Sequence, residues 1–191
     1  MELACYYDFT CGYSNRAWMW IERMRAAGTE LHVDWRPFVL KEVNRDDAES
    51  SLLSGPTIDS VAVLALAIAE ALRDQSGAEG YRADVFHAMH SGDERPAREQ
   101  VIAIANSNGL DPESFWRDET LWLGAVRASH EGAVARWGAF GTPTLILGDS
   151  AAMYLKLAEL PAGDDRELWD AVTAVTSGFP EIMELKRPSA S

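Results

Sequence analysis

Cysteine is scarce in this chain: Cys5 and Cys11 are the only two among 191 residues. Two thiols cannot build the multi-bridge framework on which small secreted scaffolds depend. Positive charge is also short, with 17 Lys and Arg against 30 Asp and Glu and a net charge of −13. Binding to phosphate backbones needs a basic footprint, so nucleic acid is not an expected partner. No apolar run approaches the roughly 18 residues that a membrane span requires. The opening "MELACYYDF" lacks both the basic start and the small-residue cleavage site of a signal peptide. These gaps together lead to the expectation of a soluble, cytoplasmic protein that does not engage membranes. Internal repeats and low-complexity tracts are missing as well, and only the tail "RPSAS" reads as disordered. Histidines are few, four in all. His87 and His90 are three apart and share a helix face, but two imidazoles fall short of the four ligands zinc usually takes. No metal is expected, and His130 reads as a helix-surface residue.

What remains is an ordinary globular composition, 47% hydrophobic and 25% charged, in a length that suits one domain or one domain with a large insertion. Residues 3–9, "LACYYDF", read as a buried strand. "CGYSNRAWMWIERMRAAG" then places Trp18, Ile21 and Met24 at helical spacing and closes on Gly28. Residues 30–36 alternate, with Leu31, Val33 and Trp35 on one face and His32 and Asp34 on the other, and Pro37 is read as the stop. This is a β-α-β unit, whose strands should be parallel and its crossover right-handed. A loop through "NRDDAESSLLSGPT" leads to a helical middle from Ile58 to about Gly138. There "DSVAVLALAIAEALRD" reads as a buried helix, and Asp111-Pro112 gives an N-cap and a first helical residue. The period then changes: "GTPTLILG" is a short strand, "AMYLKLAEL" a weaker one, and "GDDRELWDAVTAVTSG" a helix capped by Asp164 or Asp165, with Leu168, Val172 and Val175 inward. Trp18, Trp122, Trp137 and Trp169 fall on helix faces that should pack, and Trp18 is the one placed to floor a pocket. Without its helical middle, the order β-α-β…β-β-α is that of a thioredoxin core. The expected organisation is a core of residues 1–40 and 139–191, with an inserted helical subdomain over 41–138.

The stretch "DFTCGYS" carries the chemistry. Cys11 falls where a strand hands over to a helix. Free N–H groups and the positive end of the helix dipole favour a thiolate there. Thr10 is a candidate cap. Ser14, one turn on, can aim its hydroxyl at the sulfur and donate a hydrogen bond. Gly12 lets a substrate approach closely, and Tyr13 should shape the mouth. In the frame C-x-x-S, serine cannot act as a resolving thiol. A mixed disulfide on Cys11 would need an external thiol to release it. The plainer reading is that a free cysteine is a small buried hydrophobe. Cys5, mid-strand among apolar neighbours, fits that reading; Cys11 fits either.

Cys11 with Ser14, the long helical middle, and "GTPT" leading a strand together resemble the DsbA-like branch of the thioredoxin superfamily. The resemblance covers most of the chain. It implies a thioredoxin-like α/β fold with a large helical insertion and a cis-proline at Pro143, so that Thr142 and Pro143 face Cys11 and help bind substrate. The opening "DFTCGYSNRAW" is similar to kappa-class glutathione transferases and 2-hydroxychromene-2-carboxylate isomerases, which carry serine where this chain has Cys11. The C-terminal "LPAGDDRELWDAVTAVTSGFPEIMELKRP" looks like cytoplasmic DsbA-like reductases that use mycothiol, and those carry two active-site cysteines. Ser14 departs from that second pattern and removes dithiol turnover. The implied activity is thiol–disulfide oxidoreduction with Cys11 as nucleophile and a low-molecular-weight thiol, mycothiol or glutathione, as co-substrate, with no tightly bound cofactor. Its partners would be that thiol and a disulfide or small-molecule substrate; a homodimer is open to it. The rival expectations are a thiol transferase or isomerase acting on an apolar electrophile, and a non-catalytic peptide or ligand binder.

Overall fold

The computed structural model describes residues 2–46, 49–148, 151–160 and 164–186. The expected disorder of "RPSAS" therefore lies outside the described residues.

Strand β1 (Glu2–Tyr7) is the centre of the molecule. It pairs in parallel with β2 (His32–Pro37) and antiparallel with β3 (Thr144–Leu147), so that Cys5 lies between Trp35 and Leu145. An edge strand β4 (Ala151–Tyr154) joins β3 antiparallel, which gives the sheet order β2-β1-β3-β4. Both faces of β1 are covered. Leu3, Cys5 and Tyr7 enter the main core, and Ala4 and Tyr6 a smaller cluster with Phe38, Ala133 and Ile146. A strand covered on both sides carries a continuous apolar run instead of an alternation, which is how "LACYY" reads. β2, at the sheet edge, does alternate, with Trp35 buried and His32 and Asp34 exposed. Pro37 is the last residue of β2 and pairs with Tyr7, so it does not stop the strand from outside. An edge strand tolerates a proline at its end because no inward donor is lost.

Helix α1 (Gly12–Ala26) connects β1 to β2. It buries Ala17, Trp20, Ile21 and Met24, while Gly28, at φ +89°, takes the left-handed turn that ends it. Trp20, fully buried, meets Trp169 of the C-terminal helix with ring centres 5.8 Å apart. Between β2 and β3 come α2 (Leu40–Val43), α3 (Val61–Ala71), α4 (Ala78–His90), α5 (Arg98–Ser107), α6 (Pro112–Arg117) and α7 (Glu119–Trp137). The short α2 was not foreseen, because four residues carry no readable period. In α3 every residue from Val63 to Ala69 is buried, which its unbroken apolar sequence requires. Asp111 caps α6 by accepting from the Glu113 N–H, with Pro112 in the first turn. The long α7 contributes Leu123 and Val126 to the main core and Ala133 to the cluster on the second sheet face. The main core is continuous from the sheet through α1 into the helical block, so the helices share one apolar interior with the strands. The last helix, α8 (Asp165–Gly178), is capped by Asp164, which accepts from the Arg166 and Glu167 N–H groups, and its Asp165 pairs with Arg23 of α1. Leu168 and Val172 pack against the core as expected, and Trp169 is the most deeply placed residue of that face.

His130 is not a surface residue. It is 6% exposed, meets Phe38 in a tilted ring pair with centres 4.5 Å apart, and accepts the Val39 N–H at Nδ1, 3.3 Å away. The face of α7 that carries it closes over the exit of β2, a contact no local pattern announces.

Candidate functional site

β1 ends at Tyr7, and the three residues Asp8, Phe9 and Thr10 turn the chain into α1. The Cys11 N–H donates to the Asp8 carbonyl at 3.1 Å, which closes this turn and makes Cys11 the N-cap of the helix. Its backbone is extended (φ −90°, ψ 117°) and its side chain caps nothing. The sulfur is thus left free to face outward from the helix end. It donates instead to the Thr142 carbonyl at 3.3 Å. The Thr142–Pro143 peptide bond is cis. Cys11, Thr142 and Pro143 are all buried, with Cys11 6% exposed. The first turn of α1 carries no acidic side chain, so nothing there opposes negative charge at the helix start.

The other expected neighbours divide. Thr10 does not cap α1; its N–H and hydroxyl both donate to Asp8 Oδ1, at 2.8 and 2.7 Å. Ser14 is fully buried, and its hydroxyl accepts the Asp8 N–H at 3.4 Å. The expected hydrogen bond from Ser14 to the sulfur is not made. Position 14 is the inward side of the first turn, where the oxygen finds a backbone donor of β1's exit. Gly12 is open: a Cβ there would meet only the Arg16 guanidinium, at 3.9 Å from both of its terminal nitrogens. Tyr13 is half-buried beside Cys11, with the Arg16 guanidinium 4.8 Å and the Lys156 ammonium 4.6 Å from its ring centre. Trp18 stacks on Phe86 at 5.4 Å.

Several residues around the site were not assigned to it from the sequence, and His90 was read only as half of a histidine pair. Asp8, 1% exposed, ties the turn to the helical block, because its Oδ2 accepts the Leu40 N–H at 2.8 Å. Burial pushes its carboxyl above the usual range, opposed by the donors of Leu40 and Thr10 and by the charge of Arg95. His90, on α4, donates its Nε2–H to the Phe9 carbonyl at 2.8 Å. Burial holds the ring below the ordinary histidine value, and the charges of Arg95 and Arg16 push the same way. From β4 and its exit come Tyr154 and Lys156. Tyr154 lies against Gly141, where a Cβ would be 3.1 Å from its ring, so the glycine makes room for the aromatic. The exposed Phe140 meets Tyr154 edge-on at 5.0 Å. Burial raises the Tyr154 phenol above its ordinary value, with Lys156 opposing and Cys11 and Tyr13 adding. These residues lie far apart in sequence, and only their shared aromatic and basic character could have suggested them. Cys5 is elsewhere: wholly buried in β1, its thiol is pushed far up by desolvation. Among the described residues no three His, Cys, Asp or Glu side chains group to hold a metal, and no helix is long and apolar enough to cross a membrane.

A four-stranded mixed sheet with a thiol at the N-cap of the helix after its central strand, facing a cis-proline loop, defines a thioredoxin-like protein. The chain belongs to the DSBA-like thioredoxin domain family, whose model matches residues 2–159. Among solved structures it is similar to a thioredoxin-like oxidoreductase from Silicibacter pomeroyi DSS-3, with 20% identity, a TM-score of 0.62, and 91% of this chain and 85% of that one covered. A "probable DsbA oxidoreductase" from Streptomyces coelicolor is similar at 18% identity and TM-score 0.62, covering 100% of this chain and 94% of the other. A periplasmic thioredoxin-like protein from Salmonella enterica serovar Typhimurium matches at 16% identity and TM-score 0.57, covering 90% and 82%. At these identities the likeness is one of fold. No curated protein matches the chain.

Proposed function

We propose that the protein is a thiol–disulfide oxidoreductase that works through the single nucleophile Cys11, with a low-molecular-weight thiol as co-substrate. The observation that carries this reading is the pairing of Cys11 Sγ with the Thr142 carbonyl, at the start of the helix and beside Pro143. Membership of the DSBA-like family supports thiol–disulfide chemistry at that thiol. The C-x-x-S frame supports the single-thiol form: Ser14 is buried on a backbone donor, and Cys5 faces the core.

In the first step the Cys11 thiolate attacks one sulfur of a disulfide R–S–S–R′. A Cys11–S–S–R bond forms, the S–S bond of the substrate breaks, and R′S⁻ leaves and takes up a proton. A second, external thiolate then attacks the R sulfur, forms its own disulfide with R, and returns Cys11 as the thiolate. A further equivalent of the small thiol attacks that mixed disulfide, releases R as its thiolate and leaves the small thiol as its own disulfide, so that two small thiols in all deliver two electrons to the substrate. The oxygen of Ser14 cannot replace the second thiolate, so each turnover waits on the external thiol. The Thr142 N–H has no hydrogen-bond partner among the described residues and is available to a substrate carbonyl beside the sulfur. Gly12 leaves the approach clear, and Tyr13 borders it. Small thiols of this kind are plentiful in the reducing cytoplasm, which is the compartment the proposal favours.

The test is mass spectrometry of the protein after incubation with the disulfide forms of glutathione and mycothiol, followed by disulfide-reductase assays with each reduced thiol. A stoichiometric adduct on Cys11, released by excess thiol and lost in Cys11→Ser, is expected. An unmodified Cys11 would refute the proposal. Conjugation of thiol to an apolar electrophile without disulfide turnover would point to a transferase instead.

A further inference from the structure

The mouth beside Cys11 is basic, although the chain as a whole is strongly acidic at −13. Arg16 lies one turn along α1 from Gly12. Its Nε donates to the Leu157 carbonyl at 2.6 Å, which anchors the side chain across to the exit of β4. Its two terminal nitrogens are then held over Gly12, each 3.9 Å from where a Cβ would stand, and make no hydrogen bond among the described residues. Lys156 reaches the same spot from the other strand end and lies 4.6 Å from the centre of the Tyr13 ring. Neither cation meets a carboxylate among the described residues. Arg23, Arg36 and Arg73, by contrast, each pair with an aspartate. In an acidic chain, two cations without a carboxylate partner among the described residues, gathered on one aromatic ring beside the reactive-thiol position, form a receptor for negative charge. The free edge of a guanidinium matches a carboxylate in two-point fashion, and an ammonium beside it adds charge without demanding geometry.

We infer that Arg16 and Lys156, arrayed on Tyr13, bind a carboxylate of the thiol or disulfide that reacts at Cys11, and so select acid-bearing thiols of the glutathione kind over neutral, sugar-linked ones such as mycothiol. The inference rests on the proposed reaction at Cys11 and adds which co-substrate it takes. The Arg16 anchor at Leu157 matters here, because a guanidinium already fixed through Nε loses little freedom when its terminal nitrogens take a ligand.

Three probes separate the possibilities: oxidised glutathione, its fully esterified form with no free carboxylate, and the neutral 2-hydroxyethyl disulfide. The rate of mixed-disulfide formation on Cys11 is followed by mass spectrometry at low ionic strength. Oxidised glutathione is expected to react about fivefold or more faster than its ester, as befits contacts with two partly exposed cations. That advantage should shrink with added salt. It should be lost in Lys156→Gln and in Arg16→Gln, while the rate with 2-hydroxyethyl disulfide stays the same in both. Arg16→Lys, which keeps the charge without the two-point edge, should retain part of the advantage. Equal rates for acid and ester in the native protein would overturn the inference and leave the thiol chemistry standing. A variant that slows all three probes alike would assign Arg16 or Lys156 a structural role and overturn it too. Failure of every probe to form an adduct would overturn the reaction at Cys11, and the inference with it.

Discussion

The Cys11 sulfur donates to the carbonyl of Thr142 at 3.3 Å, across 131 residues of chain. This contact joins the start of α1 to the loop that opens β3, and it places a thiol, a helix N-terminus and a strand-like backbone edge at one point. Cys5, six residues earlier, has none of these and is sealed in β1.

The two thiols should therefore differ in reactivity. Alkylation by a small reagent at neutral pH is expected to label Cys11 at least about tenfold faster than Cys5, a barrier difference of about 1.4 kcal/mol. Peptide mapping of the labelled protein reads this directly. Equal labelling would mean that position at the helix start confers no advantage.

Ser14 stands one turn from Cys11, where a C-x-x-C pair would put its second sulfur. Ser14→Cys is expected to give an internal disulfide with Cys11 on mild oxidation and to raise reductase activity toward protein disulfides. Free-thiol counts before and after oxidation check the first part. The new side chain must leave the Asp8 N–H to reach the sulfur, and a variant that stays fully reduced would show that it does not.

His130 accepts the Val39 N–H, which an imidazolium cannot do. Burial lowers its folded value below the ordinary one, against the pull of Glu42, Glu131 and Asp8. A depressed folded value means that the stabilising contribution is present above the unfolded value of about 6.5. It is lost as the pH falls through the lower folded value. Stability should thus drop from pH 7 toward acid, with about 1 kcal/mol owed to this hydrogen bond. His130→Asn keeps an acceptor and does not titrate. Its denaturation midpoint should be lower throughout, through loss of the Phe38 contact, but flatter over the same range. The raised carboxyl of Asp8 acts in the opposite sense and is present in both proteins.

Gly77, at the start of α4, is required by a close approach. A Cβ there would sit 1.8 Å from the backbone oxygen of Asn108, at the end of α5. Gly77→Ala should cost about 1–3 kcal/mol, because backbone must move to admit it. Gly124, inside α7, has nothing within 4 Å of a Cβ, and Gly124→Ala should stabilise by about 0.5–1 kcal/mol. Urea midpoints of the two variants should move in opposite directions.

The sequence by itself determined the periods and the punctuation. The apolar run of β1, the buried α3, the Asp111-Pro112 start of α6, the Asp164 cap of α8 and the left-handed turn at Gly28 all rest on local chemistry, and local chemistry is legible in order along the chain. The C-x-x-S frame at a strand–helix junction was legible for the same reason, as was the G-T-P-T approach to β3. Tertiary structure decided what each side chain meets. It turned Ser14 and Thr10 toward Asp8 and away from the sulfur, buried His130 against β2, and brought Arg16, Tyr154 and Lys156 to the mouth from two separate segments. Those outcomes depend on sheet order and on which helix faces close over which strand ends. Residues more than a hundred positions apart share no period, so only the packed fold can bring their chemistry together.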